Sequence, residues 1–254
     1  MNKNKTILFG LFILLITGCS YENAIDLYYK GEEIKPVSTN GLLANITFDK
    51  GIKDVSENKT SVAINGDVVF VKGVDGKDSS AIQLQGFPQS IAIGNIGLND
   101  TLSIFMWFKT GALLSKTDSL TLFDYGVKSF ALQIDGSTGS TLINTTHNNQ
   151  QATIPDYINS YTAWNYLYAE AGGGKIKVMY EGQNKSKELI TLDIETESPG
   201  ILEPVADILY IGRSTASQKV SNSYFKGSID NVRIYNRPLS KSEVLSLISE
   251  DKAK

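Results

Sequence analysis

The 254 residues predict an all-β protein, a sandwich or barrel closed by one short C-terminal helix. Three observations carry that expectation. Short apolar runs alternate with period two and are punctuated by Gly, Asn and Asp turns at close, regular spacing. Helix-type periodicity is scarce until the last stretch. That stretch, Phe225 to Ile248, reads as a long strand, a turn and a helix with explicit start signals.

The elements follow in order. Leu42, Ala44, Ile46 and Phe48 alternate with Leu43, Asn45, Thr47 and Asp49, giving a half-buried strand that ends on an aspartate. Asp54, Ser56 and Asn58 then space a polar loop at every second place. This loop lacks the glycine and distal glutamate of an EF-hand, so it reads as a polar turn. Val68–Val71, Ala81–Leu84 and Gln89–Ile93 are further strands, separated by glycines. In the next strand Leu102, Ile104, Met106 and Phe108 share one face and Phe105 and Trp107 the other. Apolar residues on both faces place that strand centrally. Thr121–Tyr125, Phe130–Ile134, Thr141–Asn144, Trp164–Ala169, Lys175–Tyr180, Glu188–Ile194 and Ile208–Gly212 continue the series.

The last block is the most explicit. Phe225 and Ile229 share one parity, Val232 and Ile234 the other. A parity switch means burial on both faces or a bulge near Asp230-Asn231. Pro238 ends the strand. Ser240 and Glu243 form a capping box, Leu239 and Val244 a hydrophobic staple, and Val244, Leu245, Leu247 and Ile248 an apolar face. So short a helix must dock on the sandwich to be stable.

The N-terminus reads as a targeting segment. Lys3 and Lys5 precede an apolar run, Ile7 to Ile16, too short to span a membrane. Ile16-Thr17-Gly18-Cys19 resembles the lipobox of bacterial lipoproteins, which implies lipidation at Cys19, the only cysteine. The expected organisation is a signal peptide over 1–18, a tether over 19–40 and one sandwich domain over 41–250. Ser20 after the cysteine, by the sorting rule of Gram-negative bacteria, implies the outer membrane of the cell envelope. Removing the signal takes the net charge from −3 to −5. No basic stripe appears, so nucleic acid is excluded as a partner.

The ordered landmarks resemble a laminin G-like (LamG-like) jelly-roll domain of the concanavalin A-like lectin/glucanase superfamily. They are Leu42–Asp49, Asp54–Asn58, Leu102–Lys109, Trp164–Leu167, Lys175–Gly182, Leu209–Gly212 and Gly227–Leu247. The resemblance runs from about Gly41 to Ile248. Departures from the family pattern are Asn231, Tyr166 and the turn Tyr180-Glu181-Gly182. The resemblance implies a structural Ca²⁺ joining the first strand to the last through Asp49 and Asp230. A hard cation takes six to eight oxygens, so loop carbonyls or water would complete such a site.

Two further sites are read from the residues. Trp164, Tyr166 and Tyr168 share one strand face and form a candidate sugar platform, since aromatic faces stack on the C–H face of a sugar. The loop Asn144–Gln151, with His147, Asn148 and Asn149, would supply polar contacts. Asp193, Glu195 and Glu197 line one face of a strand, as in laminarinase-type glycosidases, but in the wrong order of acid types. With Ile190, Leu192 and Ile194 opposite them, they read as a solvated face. His147 is the only histidine, and its loop shows no orienting partner for a catalytic triad. The expectation is a lipid-anchored, non-enzymatic binding module for carbohydrate. A protein-binding or adhesion module is the alternative, with a glycosidase behind it.

Overall fold

The computed structural model describes residues 36–97, 100–111, 118–126, 130–136, 142–147, 150–154, 163–183, 189–200, 202, 207–215 and 223–253. Cys19, Asn148 and Asn149 lie outside the described residues, as do the signal segment and most of the tether. Two antiparallel sheets face each other across a single apolar core. The strands are β1 (Leu42–Thr47), β2 (Lys53–Asp54), β3 (Val62–Asn65), β4 (Val69–Val71), β5 (Ala81–Gln85), β6 (Ser90–Gly94), β7 (Thr101–Thr110) and β8 (Ser119–Asp124). There follow β9 (Ala131–Asp135), β10 (Leu142–His147), β11 (Gln150–Ile154), β12 (Asn165–Gly172), β13 (Lys175–Gln183), β14 (Leu189–Glu197), β15 (Ile208–Ile211) and β16 (Lys226–Tyr235). Helix α1 (Lys241–Ala253) ends the chain.

The nine-stranded sheet runs β14-β13-β12-β7-β16-β1-β2, with β5 also on β16 and β4 on β5. The seven-stranded sheet runs β11-β10-β9-β8-β15-β6-β3. Ile104, Met106, Phe108, Leu167, Val178, Val232 and Ile234 face the core from the first sheet. Leu122, Phe123, Leu132, Ile134, Leu209 and Ile211 meet them from the second. Strand β7 lies between β12 and β16, the central position its two apolar faces predict.

The parity switch in β16 is a bulge. The β16–β7 register shifts between Asp230 and Arg233, and Asn231 sits at φ 45°. Asparagine tolerates that left-handed region better than other side chains. The bulge keeps Ile229, Val232 and Ile234 in the core. It also lets one strand serve two partners on the same side, β5 before it and β1 after it.

Helix α1 starts as its sequence dictates. The Ser240 amide donates to Glu243 Oε2 (2.8 Å) and the Glu243 amide donates to Ser240 Oγ (3.3 Å), a reciprocal capping box. The helix runs five residues past the expected end at Ile248, to Ala253. Its extra turn brings Asp251 onto the outer face of the nine-stranded sheet. There Asp251 accepts hydrogen bonds from Trp107 Nε1 (2.9 Å) and from both terminal nitrogens of Arg233 (2.7 and 2.6 Å). That contact fixes where the last turn of the helix lies: over Trp107 of β7 and Arg233 of β16.

One expected loop is instead a hairpin. The sequence of Asn144–Gln151 reads as a polar loop, but β10 and β11 pair from Ile143↔Ile154 to His147↔Gln150. Threonines 145, 146 and 153 supply the β-branched pattern that favours strand here.

Candidate functional site

The outer face of the nine-stranded sheet is read in cross-strand rows. Its middle row is Asp230–Trp107–Tyr166–Glu181–Thr191, set by the registers of β16, β7, β12, β13 and β14. On one side of it lies the row of Arg233, Phe105 and Tyr168. On the other side Ser228 pairs with Lys109, and the same register carries Trp164 beside Lys109.

Helix α1 seals most of the expected sugar platform. Tyr166 and Tyr168 are 0% exposed. Tyr166 stacks on Phe105 (centroids 6.0 Å) and meets Trp107 edge-on (5.8 Å). Tyr168 donates its hydroxyl to Glu170 Oε2 (2.6 Å) and accepts the Leu239 amide (2.8 Å) at the approach to α1. Burial, then the Glu170 carboxylate, drive the Tyr168 phenol far above its ordinary value. Neither ring offers a face to a sugar, which removes Tyr166 and Tyr168 from the expected three-ring platform. Trp164 is half-buried, one row beyond the middle row, with Lys109 Nζ 5.2 Å from its ring centroid.

His147 is also removed from any sugar site. It is buried, with Nδ1 2.8 Å from Ser198 Oγ, and Ser198 donates back to the His147 carbonyl (3.0 Å). The pair ties the end of β10 to the end of β14. Its partners lie 51 residues apart, which no local pattern announces.

The acids fall into distinct environments. Asp54 is a structural hub. Its carboxylate accepts the amides of Asn45 (2.9 Å), Ser56 (2.8 Å) and Thr60 (2.7 Å) and the Ser56 hydroxyl (2.8 Å). Burial raises its pKa, but these donors outweigh it and hold the carboxyl below its usual range. Asn58 Nδ2 donates to the Leu42 and Leu43 carbonyls, both at 2.9 Å. The Asp54-x-Ser56-x-Asn58 loop thus clips itself to β1. On β14, Asp193, Glu195 and Glu197 are exposed. Two of them pair with lysines of β13: Lys175–Glu195 at 3.1 Å and Lys177–Asp193 at 3.6 Å.

Asp230 is the acid the bulge re-aims. It is 2% exposed, and its Oδ2 accepts the Val74 amide (2.9 Å). Burial, with the Asp251 and Asp75 carboxylates, pushes it up to about 7 against the pull of that amide. The side-chain atoms nearest Gly73 are oxygens, with Lys77 Nζ 3.5 Å from Asp75 Oδ2. A Cβ at Gly73 would stand 2.2 Å from Ser80 Oγ, 2.6 Å from Asp230 Oδ2 and 3.1 Å from Asp75 Oδ1. Ser80 Oγ bonds Asp75 Oδ1 (2.8 Å) and the Lys77 carbonyl (2.9 Å). Asp49 is exposed, and the next residue, Lys50, donates its amide to Ser79 O (2.9 Å). The end of β1 is thereby pinned to the same loop. Among the described residues no group of three or more His, Cys, Asp or Glu assembles. The Asp75–Asp230 carboxylate pair with Ser80 and loop carbonyls is nonetheless a hard-oxygen set, so the donor chemistry fits Ca²⁺. Sequence reasoning missed Asp75 and Ser80; the Asp75-Gly76 turn was the available signal.

Glu181 completes the middle row. It is 0% exposed. Its Oε2 accepts a long bond from Thr191 Oγ1 (3.4 Å), while Oε1 has no hydrogen-bond partner among the described residues. Burial pushes its carboxyl up to about 8.

The comparisons with known proteins agree with this architecture. A family model described as the concanavalin A-like lectin/glucanases superfamily matches residues 85–245. No curated protein matched. Among solved structures, domain 4 of AbnA, a GH43 extracellular arabinanase from Geobacillus stearothermophilus in complex with arabinotriose, is similar. It shows a TM-score of 0.56 and 20% identity over 81% of this chain and 97% of that one. The binding domain of botulinum neurotoxin DC in complex with SialylT is similar at TM-score 0.57 and 11% identity, over 83% of this chain and 51% of that one. The same toxin domain in complex with rat synaptotagmin II gives TM-score 0.58 and 13% identity, over 83% and 51%. This chain therefore spans about half the length of the toxin domains, and the likeness to all three is one of fold. With the family model covering most of the sandwich, the chain belongs to the laminin G-like family of the concanavalin A-like lectin/glucanase superfamily.

Proposed function

We propose that this protein is a non-enzymatic carbohydrate-binding module, carried at the cell envelope by a lipid on Cys19. The observation that carries the reading is Trp164. It is a half-buried indole one row beyond the helix-covered part of the sheet face, with Lys109 beside it and Ser228 and half-buried Gln83 further along the same row. An aromatic ring rimmed by hydrogen-bonding groups is the usual chemistry of a sugar subsite. The arabinotriose-bound relative, matched over nearly its whole length, supports a free-standing sugar-binding sandwich. The β14 acids favour binding over hydrolysis, because they face solvent and Asp193 and Glu195 pair with lysines. A retaining pair needs two carboxyls about 5–5.5 Å apart across a bound sugar.

A protein-binding role is the second reading. Strands β3 and β4 end their sheets and expose Ile64 (43%) and Val69 (45%), an edge suited to strand addition. A glycan array probed with the purified protein separates the two. Binding that free sugar reverses supports the first; silence across the array overturns it.

Ca²⁺ belongs to the same proposal. Asp230 and Asp75, with Ser80 and carbonyls near Asp49, would hold it, and its charge would relieve the buried Asp230 carboxylate beside half-buried Asp75. Calcium is expected to raise the melting temperature, and Asp230→Ala to abolish that rise. An unchanged melting curve on adding a chelator and then calcium overturns the ion. For the anchor, Cys19→Ser is expected to move the protein from the detergent phase to the aqueous phase in a phase-separation assay. No shift removes the lipid.

A further inference from the structure

Resting on the carbohydrate reading, we propose that a partly open strip of the nine-stranded sheet, in which Gln85 and Lys226 are exposed and Gln83, Lys109 and Trp164 half-buried, binds an oligosaccharide bearing carboxylated sugar rings. The strip lies one and two rows beyond the helix-covered part. Its first row is Gln83–Ser228–Lys109, continued by Trp164; its second holds Gln85 and Lys226. The six side chains come from β5, β16, β7 and the entry to β12. Three strand spacings span about 14 Å, the reach of several sugar rings rather than one.

Charge chooses the ligand. On the neighbouring strand β13, Lys175 and Lys177 are neutralised by Glu195 and Asp193. Among the described residues neither Lys109 nor Lys226 has a carboxylate partner. The strip therefore carries two uncompensated cations. Both are braced. Lys109 lies over the Trp164 ring at 5.2 Å, a cation–π contact that fixes the ammonium and the indole together. The Lys226 stem lies along Gly86, where a Cβ would meet its Cε at 3.0 Å and its Cγ at 3.2 Å. A neutral sugar would use the indole and the amides of Gln83 and Gln85 but leave both charges unanswered. A ring carboxylate answers them with charge-assisted hydrogen bonds, roughly twice as strong as neutral ones.

Isothermal titration of the purified protein with trigalacturonate, and with arabinotriose as the neutral probe, tests this. The expected result is tighter binding of trigalacturonate, weakened by raising NaCl from about 50 to about 200 mM, which halves the Debye length from about 14 to about 7 Å. Lys109→Met is expected to cut trigalacturonate affinity about tenfold, Lys226→Met several-fold, and Lys109→Arg to retain most of it. Melting curves check that each variant folds. If arabinotriose binds as well as trigalacturonate and Lys109→Met changes neither, the acidic strip is wrong and the carbohydrate reading stands. If sugars bind on the array but trigalacturonate does not, the strip is again wrong. If nothing on the array binds, both fall together.

Discussion

Trp107 and Trp164 sit on the same face of the same sheet, in adjacent rows and on strands that pair with one another. Yet Trp107 is 0% exposed and Trp164 is half-buried. The difference is the last turn of α1. It carries Asp251 to Trp107 Nε1 and to Arg233, and Lys252 Nζ to 5.2 Å from the Trp107 ring. The sheet supplies the same pleat to both tryptophans; the length of one helix decides which becomes core and which becomes surface. Function and stability are thus divided along a line drawn by a few C-terminal residues.

The strongest way to break that division is to remove Asp251. Arg233 is 1% exposed, and its bidentate bond to Asp251 is the main compensation for its charge. Asp251→Ala leaves a buried guanidinium and an unsatisfied indole N–H. The expected loss is about 3–5 kcal/mol in chemical denaturation. Arg233→Met in the same background should restore much of it. If the single variant is as stable as the parent, the helix is not held by this pair.

Next comes the buried acid at the far end of the covered row. Burial raises the Glu181 carboxyl to about 8, above the ordinary glutamate value of 4.5. The folded state then holds a proton that the unfolded state has released at neutral pH. Its contribution is complete at low pH and is lost as pH rises through the folded value, with a slope of up to about 1.4 kcal/mol per pH unit. Lys252, lowered by burial to about 7, works the other way above that pH. Glu181→Gln is therefore expected to flatten the fall in stability between about pH 5 and about pH 7, inside the interval from the ordinary value of 4.5 to the folded value of about 8. Denaturation midpoints at several pH values read this directly, and equal slopes in parent and variant rule it out.

The helix start tests the same line from its other end. Ser240→Ala removes one half of the capping box seen between Ser240 and Glu243. A cost of about 1 kcal/mol is expected, measurable as a shift in the urea midpoint with an unchanged slope.

Much of this was legible in the chain, for identifiable reasons. Alternation in β1 and β7 is local, and so is the capping box, whose two residues stand three apart. The parity switch at Asp230-Asn231 announced a bulge or two buried faces, and the register shift decided for the bulge. The family resemblance rested on the order of such landmarks. What stayed hidden depends on contacts distant in sequence. Tyr166 and Tyr168 have the alternation of a platform whether or not a helix lies on them. Asp230 meets a loop 156 residues away through the Val74 amide, which is why Asp75 and Ser80 went unnoticed. His147 looked like a loop residue because Asn and Gln flank it, yet strand pairing and Ser198 bury it.

The smallest expected effect sharpens the comparison most. Trp164→Ala deletes as large a side chain as Trp107→Ala would. Burial, rather than residue type, sets the cost of truncation. A fully buried tryptophan replaced by alanine costs about 3–5 kcal/mol. Trp164 is half-buried, and so is its neighbour Lys109, so removing the ring opens no cavity enclosed in the core. The expected loss of stability is under about 1 kcal/mol, while trigalacturonate binding should fall at least tenfold. A residue selected for packing shows the reverse ratio. If Trp164→Ala unfolds the protein as Asp251→Ala is expected to, the row beyond the helix is core like the row beneath it, and the open strip ceases to exist as a surface.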